Sequence, residues 1–424
     1  MPSVLIVGAG IAGLSAAIGL GRSGHRVTIV EAAKGLIPVG AGIQMRPNAT
    51  KVFRDWGILE AVKAYATVPQ EVCLRAYRDG SVLHRHRFSP DTQEKFGSPH
   101  LQIHRCQLIE VLYKTALEAG AVVRFGCLMQ RVEHGPTKTT VFVAGGESFQ
   151  ADMVVAGDGE RSVLRSLILG KPNAPVPTGT LLYRLNLDPQ MVLDNPDLSK
   201  ELKLPIMCSW LGPNAHAVMY NLDYNDMVTV AITCPDPEKD RVQLGPREAS
   251  VDELKTIMAG WDPMLLRLLD VATDVRFWTL LQLPEENRVW TDNESGTMIL
   301  IGDAAHSMTP YIAQGASQSI EDGAFLGHLF PRDSTFEDIK PRLKQFCDRR
   351  QKRTLSVRAK AREVGAVLQL ADGAEQKARD KRIRQGELSD NFPNPFADPH
   401  LQSWLYTYDV KRDAEEATTA ARKA

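Results

Sequence analysis

An α/β fold, with an antiparallel sheet inserted into a parallel one and helices at the C terminus, is what three stretches of this 424-residue sequence predict. The first, Ser3 to Glu31, reads as a strand, a glycine turn, a helix of small residues and a second strand. The second, from Thr178 to Leu283, is a series of strand-like runs separated by short turns. The third, Pro341 to Gln369, places apolar residues at helical period.

Val4 to Val7 is an apolar run too short for a helix, and Gly8, Gly10 and Gly13 follow it with the spacing GxGxxG. Gly8 permits a sharp turn out of the strand. Gly10 has no side chain, so a pyrophosphate can approach the backbone, and Gly13 lets the helix pack close to the sheet. The start of that helix offers unpaired N–H groups and a partial positive charge to phosphates. Val27 to Val30 is the next strand, and Glu31 at its end can accept hydrogen bonds from a ribose. The glycine spacing alone is weak evidence; strand, helix and acid together indicate a dinucleotide site. The alternative is an ordinary βαβ unit whose glycines serve packing only.

Composition narrows the class. Hydrophobic residues at 43% and charged residues at 24% are ordinary for a globular chain. A formal net charge of -1 favours neither nucleic acid nor an anionic membrane. The six cysteines lie apart with no CxxC, which argues against zinc and a disulfide framework and suits a reducing, cytoplasmic setting. No apolar run approaches the ~18 residues of a membrane span, and no signal peptide is expected.

The elements follow in order. Val39 to Ala49 reads as a glycine-bearing loop, where Arg46 is either a solvated charge or a phosphate contact. Pro47-Asn48 starts a helix from Ala49 to Trp56 that Gly57 stops. Glu71 to Arg78 and Val82 to Phe88 form a hairpin around Asp79-Gly80. His84 and His86 share a strand face there, but no acid or cysteine stands at ligand spacing, so no metal is expected. Leu101 to Arg105 leads into a helix from Gln107 to Ala119, with Arg105 just before it. Val122 to Phe125, Val141 to Val143 and Phe149 to Val155 are strands. The last enters Gly157-Asp158-Gly159, which aims Asp158 from a strand end into the ligand crevice.

From Thr180 the predicted strands are Thr180 to Leu187, Ile206 to Leu211, Ala215 to Asn221, Met227 to Cys234 and Arg276 to Leu283. Gly212-Pro213-Asn214 and Asn225-Asp226 turn between them, and no helix is expected before Val251 to Ala259. Such strands make an antiparallel sheet and a second domain. Arg184 lies in an apolar strand, so it either faces inward and needs a partner or faces solvent at a sheet edge. Met298 to Ile301 is again a parallel-type strand, ending in Gly302-Asp303, and Gln314-Gly315-Ala316 opens a small-residue helix. Glu321 and Asp322 read as cap or surface acids, and the basic side of the long helix as solvated. The residues after Lys411 read as frayed.

Three glycine/acid sites now stand in one order: Gly8-x-Gly10-x-x-Gly13 with Glu31, Gly157-Asp158-Gly159, and Gly302-Asp303. This set resembles the single-component flavoprotein aromatic hydroxylases, the para-hydroxybenzoate hydroxylase-like family, and within it the salicylate-hydroxylase-like branch with its fungal members. The resemblance covers roughly Ser3 to Leu355. It implies that Gly8, Gly10 and Gly13 bind the FAD pyrophosphate and Glu31 the adenosine ribose. Gly42 and Ile43 would meet the flavin edge, Arg105 the phosphate end, and Asp303 the ribityl chain. Asp158 would serve both FAD and reduced nicotinamide, while Gly315 and Ala316 start the helix beside the flavin. Arg184 and Tyr220 match residues that some fungal members use against phenolate substrates. Two departures are Ala156-Gly157-Asp158, where the family usually has Gly-Ala-Asp, and Ala313-Gln314, where many relatives have Gly-Gln.

The expected organisation is an FAD-binding domain of residues 1–70, 100–175 and 285–335, a substrate domain of 71–99 and 176–284, and a helical segment of 336–424. The activity implied is hydroxylation of a phenolic ring through a flavin C4a-hydroperoxide, with tightly but non-covalently bound FAD, dioxygen, and NAD(P)H as a transient co-substrate. No second GxGxxG follows a strand and opens a helix, since Gly19, Gly21 and Gly24 repeat the spacing only at the end of the first small-residue run, in keeping with that transient binding. A flavoprotein of the same scaffold acting on an indole, purine or olefin, or a flavin-dependent dehydrogenase, is the alternative.

Overall fold

The computed structural model describes residues 1–37, 40–202, 205–222, 224, 226–238, 245–284, 288–292 and 294–421. Val39 of the expected loop and Asn225 of the expected turn lie outside them. The N-terminal reading holds. Ser3–Val7, Arg26–Glu31, Val122–Phe125, Met153–Ala156 and Met298–Leu300 form one five-stranded sheet, every pair parallel. Their nearly continuous apolar sequence is what a sheet covered on both faces requires. The helix Ile11–Arg22 follows the glycine turn and lies against the helix Gly315–Leu329. Glycines set that contact: a Cβ on Gly327 would come within 2.7 Å of the Gly19 backbone.

A second sheet of eight strands takes most of the middle of the chain, together with the hairpin Glu71–Ala76 and Val82–Arg87. Its pairs are antiparallel except one: Ile206–Gly212 runs parallel to Glu71–Ala76. Val176–Leu187 sits well inside this sheet, between Ala272–Gln282 and Met227–Pro235. Its side chains alternate. Leu181, Tyr183 and Leu185 enter an apolar core, while Leu182 and Arg184 face the other way, onto a cavity. Arg184 is therefore not an edge residue, and it is only 8% exposed.

Several expectations need correction. Phe149 to Val155 is two strands in two sheets, Ser148–Ala151 and Met153–Ala156. Asp152 makes the break, accepting from Ser3 N at 2.7 Å and Ser3 Oγ at 2.6 Å. The expected loop after Val39 contains the strand Gly42–Met45, paired with Leu101–His104. Arg105 is the first residue of its helix, Arg105–Glu118. Met129–His134 is a strand that the sequence reading did not anticipate. Helices Pro189–Leu193, Pro196–Glu201 and Pro263–Asp270 interrupt the strand series. Each begins with a capping Asp or Asn followed by proline, a legible start signal. The C-terminal segment is a helix, Val410–Ala421, that buries Val410, Ala414 and Ala417.

The long helix is real and spans Ile339–Leu368, but its basic side is not simply solvated. Arg350 is fully buried and Arg353 nearly so, and both meet Glu321, itself fully buried. Asp322 is buried as well, against Arg350 and His306. Neither acid is a cap or a surface residue. No helix among the described residues is long and apolar enough to cross a membrane.

Candidate active site

The carboxyl ends of the parallel strands and the inner face of the large sheet border one cavity of about 360 Å³, the size of a small-molecule site. At one end stands the start of Ile11–Arg22, with Gly10, Ile11 and Ala12 on the wall. That helix has no side-chain cap and no acid in its first turn, so its N–H groups are free for an anion. A Cβ on Gly10 would meet nothing within 4 Å, so the approach is open. Gly8 and Gly13 do not line the cavity. A Cβ on Gly8 would lie 2.5 Å from the Gly157 carbonyl oxygen, and one on Gly13 would overlap that of Gly8. They shape the turn that presents Gly10.

Glu31 is also off the wall. Its carboxylate accepts from Ala9 N at 2.7 Å and Ala33 N at 2.8 Å, fixing the glycine turn and leaving further lone pairs for a ligand. Asp158 does not point into the crevice as expected. Its Oδ2 accepts from Val163 N at 2.9 Å and Leu164 N at 3.2 Å, capping Val163–Leu169, and the cavity is lined by its neighbours Gly157 and Gly159. Burial raises the pKa of Asp158, against the hydrogen bonds that lower it, and its Oδ1 has no partner.

Gly42, Ile43, Arg105, Asp303, Gly315 and Ala316 all face the cavity. Asp303 accepts no hydrogen bond from the described residues, and Gly302 before it takes φ 58°. Gly315–Leu329 starts without a side-chain cap, so a second bare N-terminus faces the same space. Ala313 adopts φ 51°, a left-handed conformation that favours glycine, at the place where the resembling family carries Gly. A bare helix start, an open glycine approach and an unpartnered carboxylate fit the pyrophosphate and ribityl chain of FAD.

At the other end the walls come from the large sheet. Arg184 donates to the Gly40 carbonyl and pairs with Asp274 at 3.0 Å. Arg276 shares the same carboxylate at 2.9 Å. Asp274 thus supplies part of the partner that an inward-facing Arg184 needs. Tyr220 donates to the Gly42 carbonyl at 2.6 Å, and burial pushes its phenol pKa up although Arg184 works against that. A Cβ on Gly42 would lie 2.5 Å from the Tyr220 ring, so the absent side chain lets ring and backbone meet.

Sequence reasoning missed His216. Its Nδ1 lies 2.6 Å from Thr233 Oγ1 and 3.0 Å from Gln369 Nε2. An amide N–H can only donate, so we assign Nδ1 as acceptor and the proton to Nε2. Burial lowers the His216 pKa to about 4, which keeps the ring neutral. Gln369 is 153 positions away, and no local signal joins them. Arg46 is buried rather than a solvated loop charge. The described residues contain no group of His, Cys, Asp and Glu that could hold a metal, and the six cysteines are free.

Comparison with known proteins agrees with this geometry. The FAD binding domain family matches residues 1–332. The FAD-dependent monooxygenase OpS4 of Beauveria bassiana (strain ARSEF 2860) is 32% identical over 98% of this chain and 96% of its own. A 3-hydroxybenzoate 6-hydroxylase of Polaromonas naphthalenivorans (strain CJ2) is 30% identical over 96% of each. Among solved structures, CtdE with FAD and substrate superposes with a TM-score of 0.85 at 21% identity, covering 100% of this chain and 99% of that one. A salicylate hydroxylase substrate complex gives 0.80 at 23% identity over 98% of each. The chain belongs to the FAD binding domain family and is an FAD-dependent monooxygenase of it.

Proposed function

We propose that this enzyme hydroxylates an electron-rich aromatic ring, a phenol by preference, with NAD(P)H and dioxygen as co-substrates. The observation that carries this reading is the single cavity in which a bare helix start and open glycine backbone run into an apolar pocket bearing Arg184 and Tyr220. Bound FAD would supply hydride acceptance and oxygen activation. Arg184 favours the ionised form of a phenol and stabilises negative charge on its oxygen. Tyr220, kept protonated, holds the Gly42 carbonyl and so the strand edge beside the flavin. His216 offers a fixed N–H to an acceptor on the ring. Leu182, Met207 and Trp278 line the same walls and exclude water.

The purified protein should be yellow, with one non-covalent FAD per chain. Asp303→Ala should weaken FAD retention by about 1.5–3 kcal/mol, the worth of a hydrogen bond to a charged acceptor. Dialysis followed by flavin titration measures it, and unchanged affinity would remove Asp303 from the site. NAD(P)H oxidation should be slow alone and rise, with oxygen uptake, when an aromatic substrate is added. Equal rates with and without every aromatic tested, or turnover indifferent to oxygen, would overturn the reading.

A further inference from the structure

Ala313, Gly315 and Ala316 line the cavity, and Gln314 among them does not. Its side chain is fully buried and turns instead toward the helix Pro47–Asp55. Four side chains close on one another there. Asn48 Nδ2 donates to Gln314 Oε1 at 3.0 Å and to Glu321 Oε1 at 2.6 Å. Gln318 Nε2 donates to the same two oxygens, at 3.0 Å and 3.2 Å. A carboxylate oxygen only accepts, so Glu321 fixes which atom of each amide is nitrogen. None of the four is more than 2% exposed.

This buried plug joins two walls of the cavity. Asn48 is the second residue of its helix and closely follows the strand Gly42–Met45, whose Gly42, Ile43 and Gln44 face the cavity. Gln314 directly precedes the uncapped start of Gly315–Leu329, which faces the same space. The turn before that start is strained. Ala313 holds φ 51°, a conformation that persists in a residue with a side chain only when its surroundings over-determine it. With no side-chain cap on the helix, the grip on Gln314 is what holds the turn.

We infer that Asn48 is a positioning residue, which through Gln314 sets where the start of Gly315–Leu329 stands against bound FAD, and so the reduction potential of the flavin. Asn48 is off the cavity wall and acts only through the backbone it fixes. A helix start carries a partial positive charge, which favours reduced FAD, the more negative form, over oxidised FAD. That effect fades within the first turn, so a small displacement of Gly315 weakens it. The inference rests on FAD binding and not on the choice of substrate.

The test is the midpoint potential of the FAD-loaded enzyme, measured without substrate against a reference dye at mildly alkaline pH, beside Tm. Asn48→Leu keeps the volume, removes both donors and leaves Glu321 with Arg350, Arg353 and Gln318, so the fold should hold. Its preference for reduced over oxidised FAD should fall about threefold or more, the scale of one helix end. For two electrons that is a potential lower by about 14 mV or more. Gln314→Met should give the same shift, and the double variant little beyond either, because both break one linkage. Leu329→Ala, buried at the far end of the same helix, should lower Tm and leave the potential alone. The inference fails if either plug variant lowers Tm with the potential unmoved or raised, if the double variant shifts by the sum of the two, or if Leu329→Ala moves the potential as far. Should Asn48→Leu not fold, Gln314→Met decides on the same reading, and failure of both to fold makes the plug a stability device and overturns the inference. No aromatic is present, so either result leaves the hydroxylase reading where it stands.

Discussion

Arg184→Ala should keep its fold and its FAD and lose hydroxylation by about a hundredfold or more, the scale of one lost electrostatic stabiliser. The side chain lies on an inner strand, turned from the apolar core into the cavity, and pairs with Asp274 at 3.0 Å. Because Arg276 draws on the same carboxylate, Asp274 does not neutralise both cations. Arg276 also reaches the exposed Glu248 at 3.7 Å, so part of the Asp274 carboxylate is left to Arg184, whose guanidinium is the cation that lines the pocket for a phenolate oxygen. Arg184→Lys should rescue only partly, since a point charge cannot hold Asp274, the Gly40 carbonyl and a ligand in one plane. Tyr220→Phe should cost less, because it removes one hydrogen bond to Gly42 and leaves the ring. Product formed per NAD(P)H consumed measures each variant. A wild-type rate in Arg184→Ala would end the phenolate-anchoring role while leaving the flavoprotein intact.

Arg350→Met should produce the largest loss of stability. Arg350 donates to Glu321 at 2.7 Å, to Asp322 at 2.8 Å and to the Gln318 side chain at 3.0 Å, all out of water. Burial pushes both carboxyl pKa values up, but Arg353 and Arg350 at Glu321, and His306 and Arg350 at Asp322, outweigh it and hold both below the ordinary range. Removing Arg350 leaves buried Glu321 with Arg353 and buried Asp322 with only His306, a loss of about 3–5 kcal/mol. Carboxyls depressed in the fold stabilise fully above their unfolded values of about 3.9–4.3 and lose that contribution as pH falls below them. The wild-type enzyme should therefore lose Tm progressively below about pH 4, and Arg350→Met should start lower and show a shallower acid limb. Thermal unfolding across pH tests both. An unchanged Tm at neutral pH would show that the network is not holding the long helix to Gly315–Leu329.

What the sequence showed and hid follows from distance along the chain. The glycine turn, its strands and Glu31 lie within one βαβ unit, so spacing and period expose them. The acids at 321 and 322 and the arginines at 350 and 353 were each visible, but nothing local says that one helix buries the other's charges. His216 with Gln369, and Arg46 with Phe396, are joined only by the fold. The same holds for the parallel pairing of Ile206–Gly212 with Glu71–Ala76, which closes the sheet across more than a hundred intervening residues. Phe149 to Val155 misled because Gln150 and Asp152 alternate with apolar residues as they would along one half-buried strand, and the break at Asp152 depends on Ser3. Asp158 misled because an acid after a strand end serves a ligand or caps the next helix, and here its Oδ2 caps.

The most direct measurement of the central claim is the fate of dioxygen. The FAD-loaded enzyme is given NAD(P)H, labelled dioxygen and an aromatic acid that raises NAD(P)H oxidation, and the product is weighed by mass spectrometry. One labelled oxygen atom on the ring per NAD(P)H oxidised, with most of that incorporation lost in Arg184→Ala, is the result predicted. An unlabelled product, or NAD(P)H oxidation that proceeds unchanged without oxygen, would contradict it.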